Sequence, residues 1–403
     1  MKVAIVFEIF FPVVNGVITS SVNLAKNLRA QGHDVIFLAP ETEDFTEPTV
    51  EGGIPVYYIQ SSENWAYPGM RNVLPWNQRV QVILRQEKID IVHITGPFLL
   101  TWAAIRAAKN LQIPVVHTFH TMLFEKSYII YFFKFNFLVP AVQDIAWYFF
   151  GLFIRKSMVN TGPSRLVCDQ MAQHFPRADV RYISNGVDVE QFEHTPSLEE
   201  VKANYPMFTE HTLLFVGRLG DEKSVGELVE AMSIVRQGMQ QARLIIVGDG
   251  PGAARYKART EELRLEHNVF FLGRIPHGEL VASGLIHHAR AFVTASTTEN
   301  QPMTVIEAIL CTRPVIVPRV PGITELVEGN GMTFRPHDVG ALAAAMLRLL
   351  SDDEMAAKCS QHSRELKDRF DGRNVAKEFI AAYKDAKRKQ KDRLQWLRKL
   401  AGK

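Results

Sequence analysis

Cysteine is scarce in this chain of 403 residues: Cys168, Cys311 and Cys359 are odd in number, far apart and show no metal-ligand spacing. A disulfide framework and a cysteine-based zinc site are therefore excluded, and a reducing compartment is the simple reading. No convincing Asp-x-Asp metal motif is present. The loop Phe11-Pro12-Val13-Val14-Asn15-Gly16-Val17 holds a single glycine, so it is not the Gly-x-Gly-x-x-Gly dinucleotide fingerprint. Long apolar runs are missing as well. Even the most apolar stretch, 124–155, is interrupted by Lys134, Pro140, Gln143 and Asp144. It offers no uncharged run of the roughly 18–20 residues that a bilayer-crossing helix needs. The start, MKVAIVFEIF, lacks the small-residue cleavage site of a signal peptide and reads as a first strand. A basic body is also absent. The net charge is +3, but residues 384–403 alone carry nine Lys/Arg against two Asp, so the remainder is acidic. Nucleic-acid binding is set aside on that ground.

What is there is a repeated alternation of short apolar strands and amphipathic helices. KVAIVF (2–7), DVIFLA (34–39), PVYYI (55–59), DIVHI (90–94), PVVHTF (114–119) and MVNTG (158–162) are strand candidates. Helical segments such as 21–32 and 98–110 lie between them. The pattern restarts after a polar, proline-containing, linker-like stretch at about 185–210. TLLFVG (212–217), ARLIIVG (242–248), VFFLG (269–273), AFVTA (291–295) and PVIVP (314–318) follow. This is the βαβ pattern of parallel, doubly wound sheets, in a chain long enough for two domains.

The most informative stretch is STTENQPMTVIEA, 296–308, in which Glu299 and Glu307 flank Pro302. Pro302 is expected to open a helix running to about Leu310. Glu299 then lies in the turn before it and Glu307 inside it. A turn at the carboxyl end of a parallel strand is where α/β proteins bind ligands. A helix N-terminus suits a diphosphate, and the two carboxylates suit sugar hydroxyls. The combination points to a sugar nucleotide.

GRLGDEKS (217–224) follows the first strand of the second half and brings Arg218 and Lys223 to a strand end. There they could neutralise a departing diphosphate, although surface ion pairs with Asp221 or Glu222 are the bland alternative. His120 sits at the carboxyl end of 114–119, placed to hydrogen-bond a sugar hydroxyl, whereas His93 and His117 fall within strands and read as core histidines. Twelve aromatics crowd 124–155 beside Lys126, Lys134, Arg155 and Lys156. Either a core helix or a surface dipping into lipid headgroups has that composition, and the second is favoured because the basic tail is a second feature of the same kind. In that tail Leu394, Trp396, Leu397 and Leu400 recur at helical spacing, which suits an anionic membrane as well as a solvated terminal helix.

The ordered set NGV, HTFHT, SNGVD, GRLGDEK, VGDGP, ENQPMTVIEA and PVIVPRVPGITE resembles the retaining family-4 glycosyltransferases of the GT-B fold, from residue 1 to about 335. The resemblance implies an α/β architecture of two Rossmann-like doubly wound parallel-sheet domains with an interdomain cleft. It implies an acceptor- and membrane-facing domain over 1–187, a nucleotide-sugar domain over 188–372 and a crossing-back helix with the basic tail over 373–403. Arg218 and Lys223 would hold the donor diphosphate, met by Gly16 and Val17. Glu307 would take the ribose hydroxyls, Glu299 the donor hexose and His120 the transferred sugar. The base would stack near Gly273 and Arg274. The donor site would also include Asn300, Gln301, Pro302, Met303 and Thr304. His120, Arg218, Lys223 and Glu299 form the expected catalytic set, with no metal and no cofactor beyond the nucleotide-sugar donor. Two departures are visible: the frequent Glu-Gly-Phe-Gly is here Glu299-Asn300-Gln301-Pro302, and Ser224 replaces a glycine.

HTMLFEKSYII and the aromatic stretch look most like the branch that glycosylates diacylglycerol, with sulfoquinovosyl and phosphatidylinositol mannosyl enzymes nearby. The expectation is a hexosyltransferase moving glucose from a uridine diphosphate sugar to a membrane lipid. It would be cytoplasmic and peripheral on an anionic membrane face. A GDP-mannose-dependent enzyme, a soluble-acceptor transferase, an epimerase of the same fold and a non-catalytic binding module are the rivals.

Overall fold

A computed structural model describes residues 1–13, 15–43, 46–50, 52–64, 70–120, 139–193 and 195–401. Most of the aromatic stretch, 124–138, lies outside the described residues, as does Val14. The described chain divides into two compact units: Met1–Gly186 together with Gly372–Lys403, and Val187–Asp371.

The first unit is built on β1 (Lys2–Val6), β2 (Asp34–Pro40), β3 (Thr49–Val50) and β4 (Ile54–Ile59), with β5 (Ser62–Glu63) and β6 (Arg71–Asn72) forming a separate two-stranded ribbon. It continues with β7 (Ile91–Ile94), β8 (Val115–Thr118), β9 (Val159–Gly162) and β10 (Val180–Tyr182). The main sheet runs β10-β9-β8-β7-β1-β2-β4-β3 and is parallel except for the β3–β4 pair. Because both faces are covered, the strands read as continuous apolar runs. Successive residues of β1 feed opposite cores: Val3 and Ile5 pack with Val375, Phe379 and Tyr383 of the final helix, Gly372–Ala401. Ala4 and Val6 pack with Leu100, Ala104 and Ala108 of helix Leu99–Leu111.

The second unit contains β11 (Thr212–Val216), β12 (Arg243–Val247), β13 (Val269–Gly273), β14 (Ala291–Val293), β15 (Val315–Pro318) and β16 (Gly331–Phe334), all parallel in the order β13-β12-β11-β14-β15-β16. Leu213 and Phe215 face one core, Leu214 the other.

Three details depart from the sequence reading. The stretch at 185–210 is not a linker: Ser197 and Glu200 form a capping box on helix Leu198–Asn204, and Phe192, Val201 and Phe208 are buried. Two edge strands, β10 and β16, were not expected, because their half-exposed residues break the apolar pattern. Pro302 is the N-cap, with φ −70° and ψ 125°, so the helix begins at Met303.

Helix Val139–Ile154 has two faces. Trp147, Phe150, Phe153 and Ile154 are buried, while Ile145, Tyr148 and Phe149 are exposed. The core reading holds for one face. Among the described residues, no helix is long and apolar enough to cross a membrane.

Candidate active site

In each sheet the strand order reverses at one place, and in open α/β sheets ligands bind outside the carboxyl ends of the strands there. In the second unit the reversal lies between β11 and β14. The segments leaving those two strands are 217–224 and 294–302, which contain Arg218, Lys223, Glu299 and Pro302.

The two segments are tied together. The Thr297 amide donates to the Glu222 carbonyl at 3.1 Å and the Ser296 hydroxyl to the same oxygen at 3.3 Å. The Lys223 ammonium forms an ion pair with the Glu299 carboxylate, their side chains 22% and 15% exposed. Arg218 is bonded to Glu222 at 2.7 Å and is 69% exposed, so its ion pair is the bland one foreseen for it. Asp221 pairs with Arg255 instead.

Close backbone approach shapes this end of the sheet. Gly248, at φ +137°, lies where a Cβ would stand 1.9 Å from the Gly217 carbonyl oxygen. Gly322, at φ +84°, packs equally tightly on the Asn300 carbonyl, where a Cβ would come to 2.2 Å. Only glycine fits either position. The GRLG, VGDGP and VPGITE motifs thus interlock backbone to backbone around the turn that carries Glu299.

At their strand reversals the two units treat the helix N-termini differently. In the first unit, whose strand order reverses at β1 and β7, protein side chains fill them. Asn15 accepts from the amides of Val17 and Ile18, both at 3.0 Å. Glu8 accepts from Leu100 at 3.2 Å and Thr101 at 2.7 Å. Val17 therefore gives its amide to the cap, and Gly16 is the exposed first residue of helix Gly16–Ala30. In the second unit, helices Val225–Gly238 and Met303–Leu310 have no side-chain cap. Their partial positive charge, with Lys223 and Arg218, makes that end of the second unit the place for an anion.

Glu307 lies within helix Met303–Leu310 and is 3% exposed. Its Oε1 is 2.9 Å from Nε2 of His277, the first residue of helix His277–Ala282. Nothing in the sequence singled out His277, a lone histidine after a proline. Of the remaining expected donor residues, Gln301 and Met303 are buried, Asn300, Pro302 and Thr304 half-buried, and Arg274 exposed just after Gly273.

His120 is largely buried in the first unit, in a small pocket with His93, Thr118, Ser184 and Asn185. Burial pushes it down to about 4, so it is a neutral hydrogen-bonding group near pH 7. His93 and His117 are core residues, both held near 3 by burial.

Residues 14–191 match the model of Glycosyltransferase Family 4, and residues 199–366 match that of Glycosyl transferases group 1. An alpha-monoglucosyldiacylglycerol synthase of Streptococcus pneumoniae is 26% identical over 86% of this chain and 78% of its own length. A GDP-mannose-dependent alpha-mannosyltransferase of Mycobacterium tuberculosis is 30% identical over 85% of this chain and 83% of its own. Among solved structures, Anabaena HepE in complex with UDP superposes with a TM-score of 0.75 at 20% identity, covering 95% of this chain and 99% of that one.

Proposed function

This chain belongs to the family-4 glycosyltransferases of the GT-B fold, and we propose that it transfers glucose from UDP-glucose to the hydroxyl of a membrane lipid such as diacylglycerol, with retention of configuration. The observation that carries the donor half of this reading is the Lys223–Glu299 pair at the strand reversal, beside two uncapped helix N-termini.

In this reading the donor diphosphate takes the Lys223 ammonium and Arg218. Arg218 leaves an exposed one-turn pair with Glu222 worth only about 0.5 kcal/mol, so recruiting it costs little. Glu299, released from Lys223, accepts from hexose hydroxyls, and Glu307 accepts from the ribose. His120, being neutral, hydrogen-bonds the transferred sugar without adding charge beside it. As the bond to the anomeric carbon breaks, charge grows on the leaving diphosphate. Lys223 and Arg218 stabilise that charge, which makes them the largest catalytic contribution and leaves no step that needs a metal.

Two exposed apolar stripes support the lipid half. One is Ile145, Tyr148 and Phe149; the other is Trp396, Leu397 and Leu400, within the last twenty residues of the sequence, which carry nine cations. Such stripes suit the headgroup region of an anionic membrane and peripheral attachment to its cytoplasmic face. Two of the relatives found are glucosyldiacylglycerol synthases. The second reading, a GDP-mannose-dependent mannosyltransferase, is favoured by the 30% identical relative.

A donor panel tests both. UDP-glucose, UDP-galactose, UDP-N-acetylglucosamine and GDP-mannose are each mixed with protein and anionic vesicles, with and without diacylglycerol and with EDTA, and nucleotide release is recorded. Release from UDP-glucose that depends on diacylglycerol and survives EDTA is expected. Release from GDP-mannose alone moves the assignment to the mannosyl reading, and release indifferent to lipid moves it to a soluble acceptor.

A further inference from the structure

Glu307 is a carboxylate with 3% of its side chain exposed, on a helix otherwise lined by Val305, Ile306 and Ile309. A group this deep needs hydrogen-bond partners to stay in one orientation. Among the described residues it has one, Nε2 of His277 at 2.9 Å to Oε1, and its second oxygen has none. His277 is 43% exposed and starts the helix that follows β13, four residues after Gly273. The same short segment therefore carries Arg274 and reaches across to the carboxylate.

We infer that His277 is a positioning residue for the nucleotide: its Nε2–H holds one oxygen of Glu307 and turns the other toward the ribose hydroxyls. The inference rests on the proposed role of Glu307 in taking those hydroxyls. A carboxylate acts only as an acceptor, so Nε2 is the donor whatever the charge on the ring. Without it the Glu307 side chain regains rotational freedom about its terminal torsions, and a hydrogen bond to the ribose must be made from a mobile group. The effect belongs to the ribose alone, which separates it from loss of base or diphosphate contacts.

The test uses calorimetric titration of the full chain with UDP and 2′-deoxy-UDP, and with GDP and 2′-deoxy-GDP. Wild type is expected to prefer the ribose form of its nucleotide by roughly tenfold or more, as for hydrogen bonds to a charged group. His277→Ala and His277→Asn, whose amide nitrogen does not reach the Nε2 position, should bring that preference close to one. His277→Gln, whose amide nitrogen does reach it, should restore most of it. A His277→Ala chain with the wild-type preference overturns the inference while leaving Glu307 in place. A Glu307→Gln chain with the wild-type preference overturns the parent role of Glu307 and this inference with it, as does a wild type that binds neither nucleotide. Because His277 is half-exposed, the variants are expected to fold; thermal melting within a few degrees of wild type identifies the chains to compare, and the Gln-versus-Asn contrast stands even if Ala does not fold.

Discussion

The Tyr383 hydroxyl lies 2.8 Å from Nδ1 of His93, joining the final helix to β7 across 290 positions of sequence. Nε2 of His93 is 2.6 Å from the Thr118 hydroxyl, which is 2.7 Å from that of Thr161, and Thr161 in turn reaches the His117 carbonyl at 3.4 Å. A carbonyl only accepts, so the direction of every bond follows from the far end. Thr161 donates to it, Thr118 to Thr161, His93 through Nε2–H to Thr118, and Tyr383 to Nδ1. One neutral tautomer of His93 is thereby fixed, consistent with burial holding this ring near 3 and raising the Tyr383 phenol well above its ordinary value.

Tyr383→Phe keeps the ring but leaves Nδ1 buried without a donor, which should cost about 1–3 kcal/mol in urea unfolding of the first unit. Thr118→Val breaks the same chain one link further on. The double variant should therefore lose less than the two single losses added together. Strict additivity would show that the four groups do not act as one chain.

Glu8 gives a pH dependence with a definite sign. Burial raises its carboxyl from 4.5 to about 7 despite the amides of Leu100 and Thr101. Between those two values the folded chain holds a proton that the unfolded chain releases. Its contribution is thus fully present below pH 4.5 and is lost as pH rises to about 7, by a few kcal/mol in all. Urea midpoints collected from pH 5 to 8 should show this fall superimposed on the other titrations. Glu8→Gln should flatten it, and a variant with the wild-type slope would place the titration elsewhere.

Much of this was legible before the structure because parallel strands buried on both faces spell continuous apolar runs, as in AIV of β1 and VIFLA of β2. The Glu299–Glu307 spacing and the GRLGDEK motif likewise marked the strand ends at β14 and β11. Edge strands escaped because Arg181, Tyr182 and Thr333 are half-exposed and carry no run. The Ser197–Glu200 capping box was a readable signal hidden by the prolines around it. Contacts such as Glu8 with Thr101, or His277 with Glu307, depend on topology that brings distant segments together, and no local pattern announces them.

Ser224 stands where the resemblance leads one to expect a glycine, and its backbone shows why glycine suits the position. Its φ of +48° and ψ of 37° put it in the left-handed region, and its side chain caps nothing. Ser224→Gly should raise the stability of the second unit by about 1 kcal/mol, read from urea unfolding, with turnover unchanged. A loss of stability would mean that the Ser224 hydroxyl makes a contribution which its geometry does not reveal.

Lys223 and Glu307 separate catalysis from folding. Lys223→Ala removes the cation expected on the leaving diphosphate and should lower kcat by roughly 100- to 1000-fold. It also leaves Glu299 without its ion-pair partner, so some stability should be lost with it, and the melting temperature must be measured beside the rate. Glu307→Ala should instead weaken donor binding, appearing chiefly in KM. A wild-type kcat in folded Lys223→Ala, or a wild-type KM in folded Glu307→Ala, would remove that residue from the site.

The exposed stripe at the end of the last helix makes the membrane reading testable without any substrate. Lys387 and Lys389 near its middle are committed to Asp90 and Asp179, each at 2.5 Å, so they fasten the helix to the first unit rather than reaching for lipid. The cations beyond them, Lys391, Arg393, Arg398 and Lys399, accompany Trp396, Leu397 and Leu400. An apolar stripe and free cations act by different physics: the first is indifferent to salt, and the second is screened within about 10 Å at 0.1 M. Trp396→Ser with Leu400→Ser should weaken sedimentation with anionic vesicles at every salt concentration. Replacing Arg393, Arg398 and Lys399 with Gln should weaken it at low salt and matter little at high salt. Equal sedimentation of all three proteins would move membrane attachment away from this helix and make the exposed Ile145–Tyr148–Phe149 face the next surface to test.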